Sequence, residues 1–360
     1  MSKLLTKFSI IGAVILFSLL LLLPASNSVA ASSKKLESGK IATSNGKFSV
    51  NTKKKTVTIK KSGTYQLSGK IGTYQVVIGT SDLKVTIVLN NVTCSNKKTS
   101  CIYNSKKSTS LSIQTKKGSR NQFTGPSKFV IAAGKSTPDA VIFSDGDLKL
   151  EGAGTLTVKD TSSNGDAVGS KKTITMSSGT VNVSSKKAGL HADDIVLRGG
   201  TLAVKADDTG VKASQTVKIE GGSCDITAVD KGIQGKAGVV IRKGTVNIQV
   251  SKASGQAGEE KFDDFRGISA GISGSNGKKA VAGSIVISGG SITVHSYGDC
   301  IHAANNVTIT GGTFNLISTQ DDGIQAKSML TISGNPKFTI HAEGKKVKGE
   351  VQNIASNIKY

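Results

Sequence analysis

The sequence predicts an all-β protein, a single-stranded right-handed parallel β-helix with coils of about 22 residues. Three observations support this fold class. Short segments recur at that interval, each contains strands of alternating apolar and polar residues, and no stretch shows the period of an amphipathic helix. A unit of this size cannot bury its own apolar side, so the units must stack with equivalent strands about 4.8 Å apart. Between residues 41 and 344 we expect about 13 to 14 coils.

The repeat is clearest where a glycine and an aliphatic residue open a copy. Residues 210–213 and 232–235 begin two copies about 22 positions apart, and related segments begin near residues 189, 300 and 323. Successive side chains of a strand point to opposite faces. We therefore expect Ile233, Ile301 and Ile324 to stack inside the helix.

The residue that follows each stacked aliphatic side chain should point outward. Stacking would repeat these polar groups at about 5 Å, close to the length of one sugar residue in a polymer. We predict that this column contacts carbohydrate, although the same residues could simply be solvated. Its members are His191, Lys212, Gln234, His302 and Gln325.

The first thirty residues have the pattern of a secretory signal peptide. Lys3 and Lys7 precede an apolar run over residues 8–23, and small residues follow near position 30. An uncleaved membrane anchor is the alternative. We expect a signal peptide over residues 1–30, a carbohydrate-binding β-helix over 31–345 and a polar tail over 346–360. The mature protein should be a secreted, extracellular or cell-surface monomer without a stable membrane span.

The composition narrows the class of partner. The chain has 47 Lys and Arg against 24 Asp and Glu, a formal net charge of +23, and its 37% hydrophobic fraction is too high for a disordered basic tail. Only four of the basic residues are arginines, the side chains that form bidentate hydrogen bonds to nucleic-acid bases, so the chain has few groups suited to recognising bases. An acidic polysaccharide is therefore expected rather than nucleic acid. A lysine-rich surface that serves only solubility is the alternative.

The four cysteines and four histidines do not form a zinc pattern, because their spacing does not match known zinc-ligand sets. Cys94 and Cys101 flank a short turn and could pair in an exported protein. Cys224 and Cys300 fall on different columns of the repeat, so we expect buried thiols there.

Acidic residues recur just before the turn that opens each repeat. Stacked carboxylates about 5 Å apart repel unless a cation lies among them, and Ca²⁺ prefers such oxygen ligands. We therefore predict one to three calcium sites, the best of them at Asp299, Asp321 and Asp322. The alternative is that aspartate simply favours turns. The full set of predicted ligands is Asp166, Asp208, Asp230, Asp299, Asp321 and Asp322.

Several segments resemble a family of exported carbohydrate-binding domain proteins. They are residues 85–92, 138–144, 189–193 and the Gln-Asp-Asp-Gly-Ile-Gln-Ala segment at 320–326, together with a recurrent Ile-x-Gly-Gly-Thr pattern. The resemblance implies a right-handed β-helix distantly similar to pectate lyases. It also implies binding of pectic acids such as polygalacturonate, and of cellulose, with calcium held at acidic turns.

Two other functions stay open. An enzyme similar to pectate lyases would need a proton-abstracting base, and the sequence marks none. An enzyme similar to polygalacturonases would need a pair of catalytic carboxylates. The segment at 320–323 resembles that family's acidic pair, but the family's Asn-Thr-Asp, Gly-His-Gly and Arg-Ile-Lys motifs are absent. A non-catalytic surface protein or adhesin would suit the repeat and the charge equally well. Residues 251–283 interrupt the repeat and predict a long loop.

Overall fold

The structure, a computed structural model, describes residues 32–131, 133, 137–251, 265–272 and 280–360. In these ranges the chain forms 34 strands and no helix, and hence no helix that could cross a membrane. The predicted signal peptide lies outside the described residues, as does most of the predicted loop at 251–283. The signal peptide therefore stays a prediction. Within the predicted loop, Arg266–Ala270 instead form a strand that pairs in parallel with the coils on either side, so the loop prediction is wrong for that segment.

The strands follow one another closely along the chain. The amino-terminal ten are β1 Ser32–Leu36, β2 Gly39–Thr43, β3 Phe48–Asn51, β4 Thr56–Ile59, β5 Gly63–Gly72, β6 Gln75–Ile78, β7 Lys84–Ser95, β8 Ile102–Asn104, β9 Ser110–Thr115 and β10 Arg120–Thr124. The next fifteen are β11 Ala140–Ser144, β12 Leu148–Gly152, β13 Thr155–Lys159, β14 Asp166–Ser170, β15 Thr173–Met176, β16 Thr180–Ser185, β17 Leu190–Ala192, β18 Asp194–Leu197, β19 Thr201–Ala206, β20 Val211–Ala213, β21 Thr216–Ile219, β22 Ser223–Ala228, β23 Lys231–Gly235, β24 Gly238–Ile241 and β25 Thr245–Val250. The last nine are β26 Arg266–Ala270, β27 Ser284–Ile287, β28 Ser291–Ser296, β29 Ile301–Ala303, β30 Val307–Ile309, β31 Thr313–Ser318, β32 Ile324–Ile332, β33 Lys337–Ala342 and β34 Val347–Ile354.

Three parallel ladders of strands run the length of the molecule. From β10 to β29 each strand pairs with the strand three places later, so one coil contains three strands. We name the ladders by the strands that open them: the first contains β8 and β11, the second β9 and β12, and the third β10 and β13. The solenoid has about 12 turns with a spacing of about 23 residues. The predicted fold class is therefore confirmed.

The expected 13 to 14 coils are too many for two physical reasons. At the amino-terminal end β1 pairs antiparallel with β2, β2 with β5 and β3 with β4, so these strands do not all add parallel turns. Farther along, β23 pairs directly with β26 although residues 252–264 lie between the two coils. That insertion lengthens the chain without adding a rung to the ladder.

Aliphatic side chains of the first ladder stack along the axis of the helix. Ile233 lies in register with Ile268, Ile268 with Ile301, and Ile301 with Ile324. All four are fully buried, which confirms the predicted inward column. Burying each such side chain contributes about 1.5–3 kcal/mol to folding. The outward residues beside them are thereby held in fixed register.

The turns between the second and third ladders require glycine. Gly200 and Gly222 have φ angles of +83° and +82°, which side-chain-bearing residues rarely adopt. A Cβ atom at either position would lie 2.6 Å from a carbonyl oxygen of the preceding coil. The coils can therefore stack closely at this edge only because these turns lack side chains.

The carboxyl-terminal end extends past the boundary predicted at residue 345. β34 pairs in parallel with β32, and Val347 lies in register with Ile324 and is buried. Val347 continues the inward stack, so much of the segment predicted as a polar tail is the last partial coil.

The four cysteines are free and buried. Cys224 points inward as predicted, in register with Val246. A hydrogen bond with Cys101, together with burial, raises the pKa of the Cys94 thiol, so the two sulfurs are neighbours. Their oxidation to a disulfide stays a prediction.

Candidate functional site

A column of buried polar residues lies where each coil enters the first ladder. Each member stands two positions before an inward aliphatic side chain, and parallel stacking spaces successive members by about 4.8 Å. Charges in this turn column must therefore be compensated by their neighbours. Its members include Asp166, Thr209, Lys231, Arg266, Asp299 and Asp322, all of them buried.

Three carboxylates meet at the carboxyl-terminal part of this column. Asp299, Asp321 and Asp322 each offer an oxygen, and these oxygens lie within 4.8 Å of one another. Asp299 and Asp322 are buried, whereas Asp321 is partly exposed. In the described residues this is the one acidic group of this kind, and it contains the residues predicted as the best calcium site.

Two cations that the sequence did not reveal flank the three carboxylates. Arg266 Nε lies 3.5 Å from Asp299 Oδ2, and Lys348 Nζ lies 2.9 Å from Asp322 Oδ2. Both come from neighbouring coils, since β26 pairs with β29 and β32 with β34. The cluster therefore carries three acidic groups and two basic ones.

Backbone and side-chain donors hold two of these carboxylates in place. Asp322 Oδ1 accepts a hydrogen bond from the Lys345 amide (2.7 Å), and Asp322 Oδ2 accepts one from Gln325 Nε2 (2.7 Å). Asp299 Oδ1 accepts the Asp322 amide, but Asp299 Oδ2 is buried and has no hydrogen-bond partner among the described residues. Burial, with the negative charges of Asp321 and Asp322, raises the pKa of Asp299 to about 7 against the effect of Arg266.

The other predicted metal ligands do not join the cluster, because they lie on other coils, where each has a basic partner. Asp166 Oδ2 lies 2.8 Å from His191 Nδ1, and Asp208 Oδ2 lies 3.6 Å from Lys212 Nζ. Asp230 is paired with a lysine of its own turn: Lys231 Nζ lies 2.6 Å from Asp230 Oδ1. These three turns are structural ion pairs in the described molecule.

The column predicted to contact carbohydrate exists in the structure, but only part of it is accessible. His191 pairs in register with Lys212, Lys212 with Gln234, and His302 with Gln325, while Ser269 stands between Gln234 and His302. His191, Lys212 and Gln234 are partly exposed. His302 and Gln325 are not available as predicted, because only 1% and 4% of their surfaces are exposed.

The polar turn column supplies a hydrogen-bond partner to one of these two side chains. It lies directly beside them, and Gln325 donates a hydrogen bond to Asp322. Burial, with the positive charge of Arg266, lowers the pKa of His302 to about 2, so His302 is neutral. The alternation of a single strand predicts which way a residue points, but it does not predict how much of its side chain is exposed.

The positive charge of the protein is concentrated at one end of the solenoid. Residues 32–130 contain 19 Lys and Arg but only two acidic residues, Glu37 and Asp82, a formal net charge of +17. Residues 131–360 contain 26 basic and 22 acidic residues and are nearly balanced. The amino-terminal coils are therefore a strongly basic surface on an otherwise almost neutral rod.

A groove of about 530 Å³ opens on the second ladder where the basic coils meet the following, nearly balanced part of the rod. Its outward side chains lie in register across four successive strands, β7, β9, β12 and β15, and so run along the rod axis. They are Thr86, Ser112, Lys149 and Thr175. Lys84 and Arg198 also line the groove, and Asp147 is its acidic member. The groove thus combines hydroxyl groups with three cations, of which Lys149 and Arg198 are ion-paired with Glu151 and Glu220.

The chain belongs to the family of carbohydrate-binding domain-containing proteins, whose pattern matches residues 53–322. Together with the solenoid, this membership defines a carbohydrate-binding protein built on a parallel β-helix. None of the curated proteins compared matches the sequence. Among solved structures, the chain is similar to the polysaccharide lyase-like protein from C. thermocellum (gadolinium derivative), with 20% identity, 86% of this chain and 90% of that chain covered, and a TM-score of 0.42.

One titratable residue was absent from the predicted set. Asp139 precedes β11, and its carbonyl oxygen accepts the Asp166 amide of the next coil (2.7 Å). Burial, with the negative charge of Asp166, raises the pKa of Asp139 to about 6. A carboxyl whose pKa is raised on folding holds its proton more tightly in the folded state. It therefore costs stability as the pH rises through about 4 to 6.

Asp139→Asn should remove that cost, because the amide imitates the protonated carboxyl. We expect the variant to be more stable than the parent by about 1–2 kcal/mol at pH 7.5, with the partial exposure of the side chain limiting the gain. The difference should shrink towards zero near pH 3.5. Urea unfolding across this pH range measures it, with Asp207→Asn at an exposed site as the control. A pH-independent difference would contradict the assignment.

Proposed function

We propose that the protein binds an acidic polysaccharide, with polygalacturonate as the favoured ligand, at the amino-terminal coils. The observation that carries this proposal is the formal charge of +17 on residues 32–130. Charge of one sign on one part of a surface attracts a polyanion over about a Debye length, about 10 Å at 0.1 M salt. Binding should therefore weaken steeply as salt is added.

The groove on the second ladder offers a path for such a polymer. Its hydroxyl groups and cations repeat at about 4.8 Å along the rod, close to the length of one sugar residue. Contacts that are weak individually give avidity when they repeat over several sugars. This mode of binding needs no aromatic platform, which agrees with a chain that lacks tryptophan.

We also propose that the protein is exported and that Asp299, Asp321 and Asp322 hold calcium. Calcium takes six to eight oxygen ligands, and carboxylates are its usual protein ligands. The donor set fits, because three carboxylate oxygens lie within 4.8 Å of one another, and Asp299 Oδ2 accepts no hydrogen bond among the described residues although Arg266 Nε lies 3.5 Å away. The Lys348 side chain is 46% exposed, so it can leave Asp322 for solvent. Bound calcium would supply compensating positive charge to the stacked turns.

The position of the basic surface can be tested by charge reversal. Lys116→Glu/Lys117→Glu changes two exposed lysines in the amino-terminal coils. We expect about tenfold weaker retention of this variant in affinity electrophoresis on polygalacturonate, because exposed ion pairs contribute up to about 1 kcal/mol each.

Lys186→Glu/Lys187→Glu is the matched control, since it changes an adjacent exposed pair on the nearly neutral part and alters net charge by the same amount. It should be retained like the parent. Equal losses in the two variants would show that net charge alone causes retention and would contradict the proposed surface.

The calcium proposal predicts a shift in thermal stability. Calcium should raise the melting temperature of the parent relative to EDTA, by mass action on the folded state. Asp321→Asn should abolish the shift, because it removes the partly exposed ligand. Asp230→Asn, in a turn outside the cluster, should keep it. A calcium shift in Asp321→Asn as large as in the parent would refute the site.

A further inference from the structure

The outward face of the third ladder carries few charges and is built from columns of hydroxyl and amide side chains. The central column runs through β13, β16, β19, β22 and β25, with its residues in strict register. In order these residues are Thr157, Asn182, Ala203, Asp225 and Asn247. It continues in register with Thr293, Asn315 and Thr339. Among these eight residues, Ala203 alone has no polar side-chain atom.

The missing side chain at Ala203 leaves a cavity of about 310 Å³ in this face. Its base is the Ala203 methyl group together with strand backbone, because the bordering Val183 and Val204 side chains point into the core and are 5% and 4% exposed. Its polar lining, which forms the rim, comes from four coils: Thr157 and Asn182 on the two coils before, Lys205 on the strand of Ala203, and Asp225 on the coil after. The cavity therefore has the apolar base and few convergent polar groups that are typical of a small-ligand site.

The two rim residues along the rod axis set the length of the cavity. Asn182 and Asp225 are separated by two strand spacings, about 9.6 Å between backbones. This spacing leaves room for one sugar ring between their side chains. A ring lying flat there would place its C–H face on the Ala203 methyl group and its hydroxyls towards the rim.

The rim groups match the hydroxyls of a sugar. Asp225 Oδ1 accepts a hydrogen bond from Asn247 Nδ2 at 2.7 Å, which orients the carboxylate as an acceptor. The Asn182 amide both donates and accepts, and Lys205 donates. The charges of Lys205 and Asp225 cancel. The cavity therefore does not favour a negatively charged uronate, whereas the basic surface does.

We propose that this cavity, centred on Ala203, binds a single neutral hexopyranose, as a terminal or branch sugar of a glycan. It is a second carbohydrate site, on a different ladder from the basic groove. A protein with both sites would bind the acidic backbone of a polysaccharide by charge, and a neutral sugar of the same glycan by shape and hydrogen bonds.

Ala203→Asn tests the proposal, because it restores the polar column and fills the cavity while leaving the strand pattern intact. The probes are the methyl glycosides of glucose, galactose and mannose, observed by saturation-transfer NMR. At least one should give signals with the parent and with Thr293→Asn, a control in the same column outside the cavity. The signals should disappear with Ala203→Asn, whose melting temperature and retention on polygalacturonate should match the parent.

Asp225→Asn is the second variant, and it is informative even if Ala203→Asn folds poorly. It keeps the shape of the rim and removes one charged acceptor, so the affinity for the bound glycoside should fall about tenfold. No signal from any neutral glycoside with the parent would overturn the proposal. Unchanged signals with Ala203→Asn or unchanged affinity with Asp225→Asn would overturn it as well. Loss of polygalacturonate binding would instead concern the basic surface.

Discussion

The register of the parallel ladders is the constraint on which the rest of this molecule depends. Each backbone hydrogen-bonds to the coils on either side, so equivalent residues stack at about 4.8 Å along the whole rod. In the core this produces continuous aliphatic columns such as Ile268 on Ile301. On the outside, the register places side chains of successive coils next to one another. A charged side chain there is either compensated by an opposite charge on a neighbouring coil or free to attract a charged ligand.

Compensated and uncompensated charges occur in different parts of the protein. At the turns that open the first ladder, acidic groups are matched with basic ones, as in the pair of Asp166 with His191 and the approach of Arg266 to Asp299. In residues 32–130 no such balance is possible, because 19 basic residues face two acidic ones. The carboxyl-terminal coils are therefore internally compensated, whereas the amino-terminal coils need anions from outside.

The repeat in the sequence predicted the fold class and the inward column, because a period of about 22 residues and strict alternation leave few other ways to bury Ile233 or Ile324. It also brought Asp299, Asp321 and Asp322 together correctly. It did not predict that Lys348 lies beside them, since that lysine belongs to a coil that was taken for a tail. It also failed for His302, which the alternation places on the outward face but which is only 1% exposed. The concentration of positive charge in the amino-terminal coils can be predicted by counting charges in residues 32–130, but the net charge of the whole chain does not show it.

The claim that the amino-terminal coils are the polyanion surface can be tested most directly by lysine acetylation footprinting with mass spectrometry, with and without polygalacturonate at low salt. The account predicts that the ligand protects exposed lysines of residues 32–130, such as Lys54 and Lys98, and leaves Lys327 and Lys337 reactive. Equal protection along the whole rod, or protection confined to the carboxyl-terminal lysines, would contradict it.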